Sequence, residues 1–347
     1  MTVTDVELRR AGPTEATSKP TAVLVGGLVV LLAACALAFL TSLAVGARSV
    51  PLGDVLSSLF GGDDSFVANV IDQRWERTVL GLMVGASLAV SGAVIQAITR
   101  NPLGDPGILG INAGAATAVV VLAAATGRGV GAAGPAAALA GAILAALAVY
   151  AVGAGKKAAS PVRLALAGAA VSAVLIALVQ GITFSKPDVF DSYRFWVVGS
   201  LAGRGFDALG STWPLMAAGL VLALLLGRSL NAMSLGEELA RALGVDTGRV
   251  RIGGALAATL LAASATAAVG PIAFVGLAVP HVVRPFTGPD YRWVIPYSMV
   301  SGSILLLVAD VIGRIAVPDG ELMVGVVTAL IGGPALLLIV RRQEAAL

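Results

Sequence analysis

Long apolar runs separated by short polar turns fill almost the whole chain. They predict membrane spans near residues 21–46, 76–98, 108–125, 134–153, 164–184, 212–227, 252–269, 270–286, 293–312 and 322–340. A hydrocarbon core about 30 Å thick takes roughly 20 apolar residues in a helix and tolerates no unpaired backbone. The stretch 252–286 would be about 53 Å long as one helix, too long for a single crossing. Gly270-Pro271 supplies a break, so two short spans are expected there. The pattern is that of an all-α polytopic membrane protein with about ten transmembrane helices.

One polar turn stands out, RNPLGDPGILGINAGAA from Arg100 to Ala116, lying between two such runs. Asn, two prolines and an Asp between spans must sit at a membrane surface or line a cavity. A structured polar turn in that place points to a transport pathway.

Composition agrees. The 347 residues are 57% hydrophobic and only 12% charged, and the mean hydropathy is +0.93. Soluble domains carry about twice that charge fraction. With an even span count both termini share one side, which collects 15 of the 23 Lys and Arg residues, so both termini are expected in the cytoplasm. Residues 1–20 read as a disordered cytoplasmic tail, and 21–347 as one transmembrane domain. Leu32-Ala33-Ala34-Cys35 imitates a lipoprotein cleavage box, but the apolar run continues beyond it and an uncleaved first helix is expected. The outside segments 47–75 and 185–211 have room for short surface helices, one of them over Asp191–Leu201. Gly81/Gly85 and Gly110/Gly114 have the spacing of close helix packing.

Catalytic chemistry is missing from the pattern. A single cysteine, Cys35, excludes an internal disulfide, and the single histidine, His281, leaves no metal cluster. Gly155-Lys156 comes nearest to a phosphate-binding loop, yet Tyr150 and Lys157 stand where Gly and Ser/Thr belong. Any ATPase is therefore a separate chain, and this one is not an enzyme. Asp310, deep in the ninth span, is an intramembrane carboxylate. It is either the partner of Arg314 one turn on or an ion-coupling group.

Between the sixth and seventh spans, SLGEELARALGV (234–245) repeats Leu235, Leu239 and Leu243 at four-residue spacing against Glu237, Glu238 and Arg241, and Gly244 ends it. Its mixed charge suits docking on a protein better than lying on a lipid surface.

Four blocks in order carry a family resemblance: RWERTVLGLMVGASLAVSGAVIQAITRNPLGDPGILGINAGAA, GEELARALGV, VGPIAFVGLAVPHVVR (269–284) and GELMVGVVTALIGGPALLLIV (320–340). The chain resembles the FecCD-type permeases of bacterial ABC importers for iron–siderophores, haem and vitamin B12. That resemblance implies a ten-helix permease of the bacterial plasma membrane, paired with a second permease as homodimer or heterodimer. Two ATPase subunits that use ATP and Mg bind it, and a substrate-binding protein docks from outside. No cofactor bound by this chain and no nucleic-acid partner are implied.

By the same resemblance, Glu237, Glu238, Arg241, Leu243 and Gly244 form the coupling contact with the ATPase. Arg74, Arg77 and Arg314 match arginines that receive the binding protein, or else anchor helix ends at headgroups. Asn101 and Leu103 match a cytoplasmic gate, whose turn also reads as a plain helix stop. The Ser/Thr cluster of a second gate is replaced by Ser160-Pro161-Val162, and Met323 stands where Pro is usual. The wording around Gly110–Ala115 points to a ferric siderophore as substrate, with haem or cobalamin as alternatives. An ion-coupled secondary transporter using Asp310 is the reading from a different class.

Overall fold

The computed structural model describes residues 19–46, 49–59, 65–127, 133–154, 161–317 and 320–344. The expected tail (all but its last two residues) and Ser160 lie outside them. Thirteen α-helices and one 3-10 turn make up the described chain, with no strand among its residues. In order they are α1 (Thr21–Ala44), α2 (Leu52–Leu59), α3 (Ser65–Thr99), α4 (Ile111–Thr126), α5 (Gly134–Ala154), α6 (Pro161–Ser185), α7 (Pro187–Trp196), α8 (Phe206–Ser234), α9 (Glu237–Ala242), α10 (Thr247–Val269), α11 (Val275–Thr287), α12 (Tyr291–Ile315) and α13 (Val324–Glu344). Among them α1, α3, α5, α6, α8, α10 and α12 are long and apolar enough to cross a membrane; Ile111–Thr126 and Val324–Leu337 are shorter apolar helices.

α3 and α10 form the centre, and both are largely buried. α3 packs against α8, α10, α11 and α12 and contributes to both large hydrophobic clusters. Small residues make this possible, because apolar side chains gain little by leaving lipid and close backbone contact has to supply the attraction. A Cβ added to Gly85 would lie 2.4 Å from the carbonyl oxygen of Gly302 on α12, and one on Gly92 would lie 1.8 Å from that of Gly276 on α11. Side-chain hydroxyls join the same seams: Ser91 donates to the Ala258 carbonyl and Ser303 to that of Leu82, each at 2.8 Å. α4 and α5 repeat the device through Gly114 and Gly141.

The expected small-residue pairs are only half right. Gly81 and Gly85 do face neighbouring elements, but Gly110 is not on a helix face. Its φ of +73° places it in the left-handed region, capping the 3-10 turn and opening α4. The segment 270–286 also differs from the expectation of a span. Gly270 to Phe274 run outside any helix, and α11 has 13 residues, about 20 Å at 1.5 Å each, too short to cross alone. The break lies where Gly270-Pro271 predicts it: Gly270 has φ +84° and ends α10. α7 begins earlier than the surface helix expected over Asp191–Leu201. Its Phe195 is exposed while Trp196 is buried.

Overpacking such a seam costs about 1–3 kcal/mol. Gly92→Ala should lower the melting temperature of the detergent-solubilised protein by several degrees, whereas Gly26→Ala, with nothing within 4 Å of the new Cβ, should leave it unchanged. Equal melting curves for the two variants would contradict the seam.

Candidate functional site at the two ends of the helix bundle

The polar residues singled out by sequence gather at opposite ends of the bundle. At one end, α8 is followed by Gly236, whose φ of +108° only glycine adopts easily, and then by the six-residue α9. α9 closes with paired backbone bonds, Gly244 N–H to the Arg241 carbonyl (2.9 Å) and Val245 N–H to that of Ala240 (3.0 Å). The Asp246 side chain then caps α10 by accepting from Gly248 and Arg249 N–H. Arg251 on α10, 7% exposed, pairs with Glu237, and Arg241 also reaches Glu237 at 3.3 Å. The Arg251 hydrogen bond, ahead of its charge and that of Arg241, holds the Glu237 carboxyl below the usual carboxylate range against a smaller opposing effect of burial.

The expected helix over 234–245 is thus shorter, at 237–242, and its apolar side faces outward. Leu235, Leu239 and Leu243 are all at least half exposed, while Ala240 is buried and Val245 packs inward. Periodicity found the stripe; the side turned inward carries Ala240, with Glu237 paired to Arg251. Nearby, Arg100 ends α3 with a φ of +49°, and its guanidinium approaches Gly236. Asn101 Oδ1 accepts from Leu103 N–H (2.9 Å), forming a compact turn in which both residues are exposed. From there the chain folds back into the bundle. Asp105 accepts from Gly107 N–H (2.7 Å), and Thr266 on α10 donates to Asn112 Oδ1 (3.1 Å). His281 packs on its own helix, with Nδ1 3.2 Å from the Leu277 carbonyl.

At the other end, Arg74, Arg77 and Arg314 meet at a cleft of about 620 Å³, together with Glu76, Arg204, Asp207 and Glu321. Asp310 sits behind it, 2% exposed, held by Arg77 and by Arg314, each at 2.7 Å. Arg77 also binds Glu321 at 2.9 Å. Arg314 donates to the Ser42 and Val45 carbonyls at the end of α1, and Arg74 to those of Leu43 and Ala44. The arginines therefore join α1, α3, α12 and the lead-in to α13. Arg314 is itself 4% exposed and does not present a free guanidinium. Of the two sequence readings of Asp310, the geometry favours the structural one, since both its oxygens are occupied. Arg204, in the turn before α8, carried no sequence signal.

The profile of the FecCD transport family matches residues 16–342. The chain belongs to this family. It is 46% identical over 325 residues to the ferric enterobactin transport system permease protein FepD of Escherichia coli, covering 93% of this chain and 96% of that one. It is 38% identical over 327 residues to the iron(3+)-hydroxamate import system permease protein FhuB of Bacillus subtilis, covering 93% and 83%. A metal-chelate type ABC transporter solved in an inward-facing conformation superposes with a TM-score of 0.78 at 28% identity, over 92% of this chain and 99% of that one. Both ends described above fall within the FecCD match.

Breaking a buried ion pair by removing one partner costs about 3–5 kcal/mol. Asp310→Asn in this FecCD-family chain leaves Arg77 and Arg314 facing each other, so it should lower thermal stability by that order. Asp191→Asn, in an exposed surface pair with Arg194, should change it by less than about 1 kcal/mol. Melting of both variants in the same detergent checks the difference. At the other end, the depressed Glu237 pKa means that the anchor of α9 is fully present above the unfolded glutamate pKa. It is lost as pH falls through the folded value, below the usual carboxylate range. Proteolytic protection of 235–246 should therefore persist from pH 7 down to about 5, and Glu237→Gln should remove its pH dependence.

Proposed function

We propose that this FecCD-family chain is the translocating permease of an ATP-driven importer of ferric siderophores in the bacterial plasma membrane. Ten crossings with both termini in the cytoplasm fit the seven long spans, the two shorter apolar helices and the broken unit around α11. That orientation sets α9 and the Asn101–Leu103 turn on the cytoplasmic side and the arginine cleft outside. The observation that carries the reading is the α9 elbow. It is fixed from behind by Glu237 and Arg251, and it offers three leucines outward with Glu238 beside them. A rigid knob with an apolar crest suits a socket on a separate nucleotide-hydrolysing subunit, present twice because the permease pairs with a second one. ATP and Mg belong to that subunit, and this chain binds no cofactor.

In this reading Leu243 and Glu238 form the contact, Glu237, Arg241 and Gly244 hold its shape, and Asn101 with Leu103 close the cytoplasmic mouth. An external binding protein delivers its ferric chelate at the arginine cleft, where Arg74 and Arg77 line the walls and Arg314 anchors them from behind. The siderophore assignment draws on the two relatives named for ferric enterobactin and iron(3+)-hydroxamate.

Proteoliposomes carrying the permease pair, its ATPase and the binding protein should take up ferric siderophore on ATP. Leu239→Asp with Leu243→Asp should cut that uptake by about tenfold or more, the scale of losing an interface anchor, while insertion is unaffected. Uphill uptake by the permease alone on an ion gradient would falsify the proposal.

A further inference from the structure

Arg228 lies near the end of α8, exposed, and no described residue gives it an ion pair or a hydrogen bond. From Phe206 to Arg228 the helix runs about 33 Å at 1.5 Å per residue. A hydrocarbon layer about 30 Å thick therefore puts Arg228 at the membrane boundary on the α9 side, with Leu224 and Leu225 a turn inside it. Both leucines are exposed, Leu225 to 74%, as lipid-facing residues of a span are.

α12 starts from the same boundary. Gly227 sits against it: a Cβ there would lie 3.6 Å from the Arg292 backbone nitrogen. Asn231 clamps the two helices, donating to Asp290 Oδ1 and accepting from Tyr291 N–H, each at 2.6 Å. Between the helices, Leu224, Leu225, Arg228, Tyr291 and Arg292 line a cavity of about 330 Å³. Its charges do not cancel. Arg292 folds onto Asp290, whose Oδ2 accepts from Nε at 2.9 Å and from Nη2 at 2.6 Å. Asp290 Oδ1 is taken up by Asn231 and by Arg292 N–H (2.9 Å). The Arg228 guanidinium is left uncompensated, beside the Arg292 donors that Asp290 does not use.

We infer that this cavity binds the phosphodiester of one anionic phospholipid, with Arg228 as its main charge partner and Arg292 as a second donor. An acyl chain then lies along Leu224 and Leu225. A guanidinium presents paired donors to a phosphate, and basic pockets between spans at the membrane boundary suit anionic headgroups. Free inorganic phosphate would gain nothing from two exposed leucines on the wall. A zwitterionic lipid carries a cation beside its phosphate and loses part of the attraction to repulsion by Arg228. The inference goes beyond the importer reading: it needs only that α8 and α12 cross the membrane, and it holds for any cargo.

Native mass spectrometry of the detergent-purified full-length protein, titrated with phosphatidylglycerol or phosphatidylcholine of the same acyl chains, tests it. The first bound phosphatidylglycerol should be held more tightly than the first phosphatidylcholine, and excess inorganic phosphate should not displace it. Arg228→Gln should weaken phosphatidylglycerol binding about fivefold, the scale of one basic side chain at an anionic surface, and leave phosphatidylcholine unchanged. Arg228→Lys should keep the preference. Arg249 is exposed at the same end and pairs with Asp246, and Arg249→Gln should bind both lipids like wild type. Arg228 has no protein partner to lose, so Arg228→Gln should also melt like wild type in lipid-free detergent. Equal affinity of the wild type for the two lipids would overturn the inference without any variant. Equal weakening by Arg228→Gln and Arg249→Gln would overturn it too, reducing it to diffuse surface charge. Displacement by inorganic phosphate would overturn it in favour of a small-anion site.

Discussion

Everything in this molecule depends on how near other backbones can come to α3. In lipid, apolar side chains gain nothing from leaving their surroundings, so helices hold together by contact at short range. Gly85 and Gly92 let α12 and α11 reach α3 at backbone distance. The serine bonds from Ser91 and Ser303 are made only because the helices are that close. α10, rich in alanine, closes the other side.

α3 and α10 are also the two rods that span the distance between the α9 elbow and the arginine cleft. α3 carries Arg74 and Arg77 in its first half and ends at Thr99, just before Arg100 and the Asn101 turn. Arg77 and Arg100 are 23 residues apart, or about 35 Å along the helix. α10 carries Arg251 near its start, bound to Glu237 of the elbow, and near its end the Ala268 carbonyl, bound by Arg204. α9 and the arginine cleft are thus joined through the packed helices α3 and α10. The two ends use different physics. The elbow exposes leucines on a charge-pinned base, whereas the cleft backs onto the buried Asp310, which Arg77 and Arg314 hold between them.

The structure also separates two roles that arginines near a helix end can have. Arg314 has its guanidinium in a buried cluster with Asp310 and Ser42, and its loss is a matter of stability. Arg204 has one carbonyl partner and an open cavity. Residue type alone does not distinguish them; what differs is whether a carboxylate sits within reach.

Hydropathy by itself determined the all-helical membrane class, the approximate positions of the spans and the break at Gly270-Pro271, because length, apolarity and backbone satisfaction are local demands. The stripe of Leu235, Leu239 and Leu243 and its Gly244 stop were likewise legible. Only the tertiary structure decided that this stripe faces outward, that α11 is a half-length helix, that Gly110 is a cap and that Asp310 bridges Arg77 and Arg314. It alone brought Arg204, some 130 residues from Arg77 along the chain, onto the same cleft. For the stripe, Asp310 and Arg204 the physical reason is common: each depends on which groups from distant segments come within hydrogen-bonding or van der Waals range. Periodicity along one strand of sequence carries no information about that.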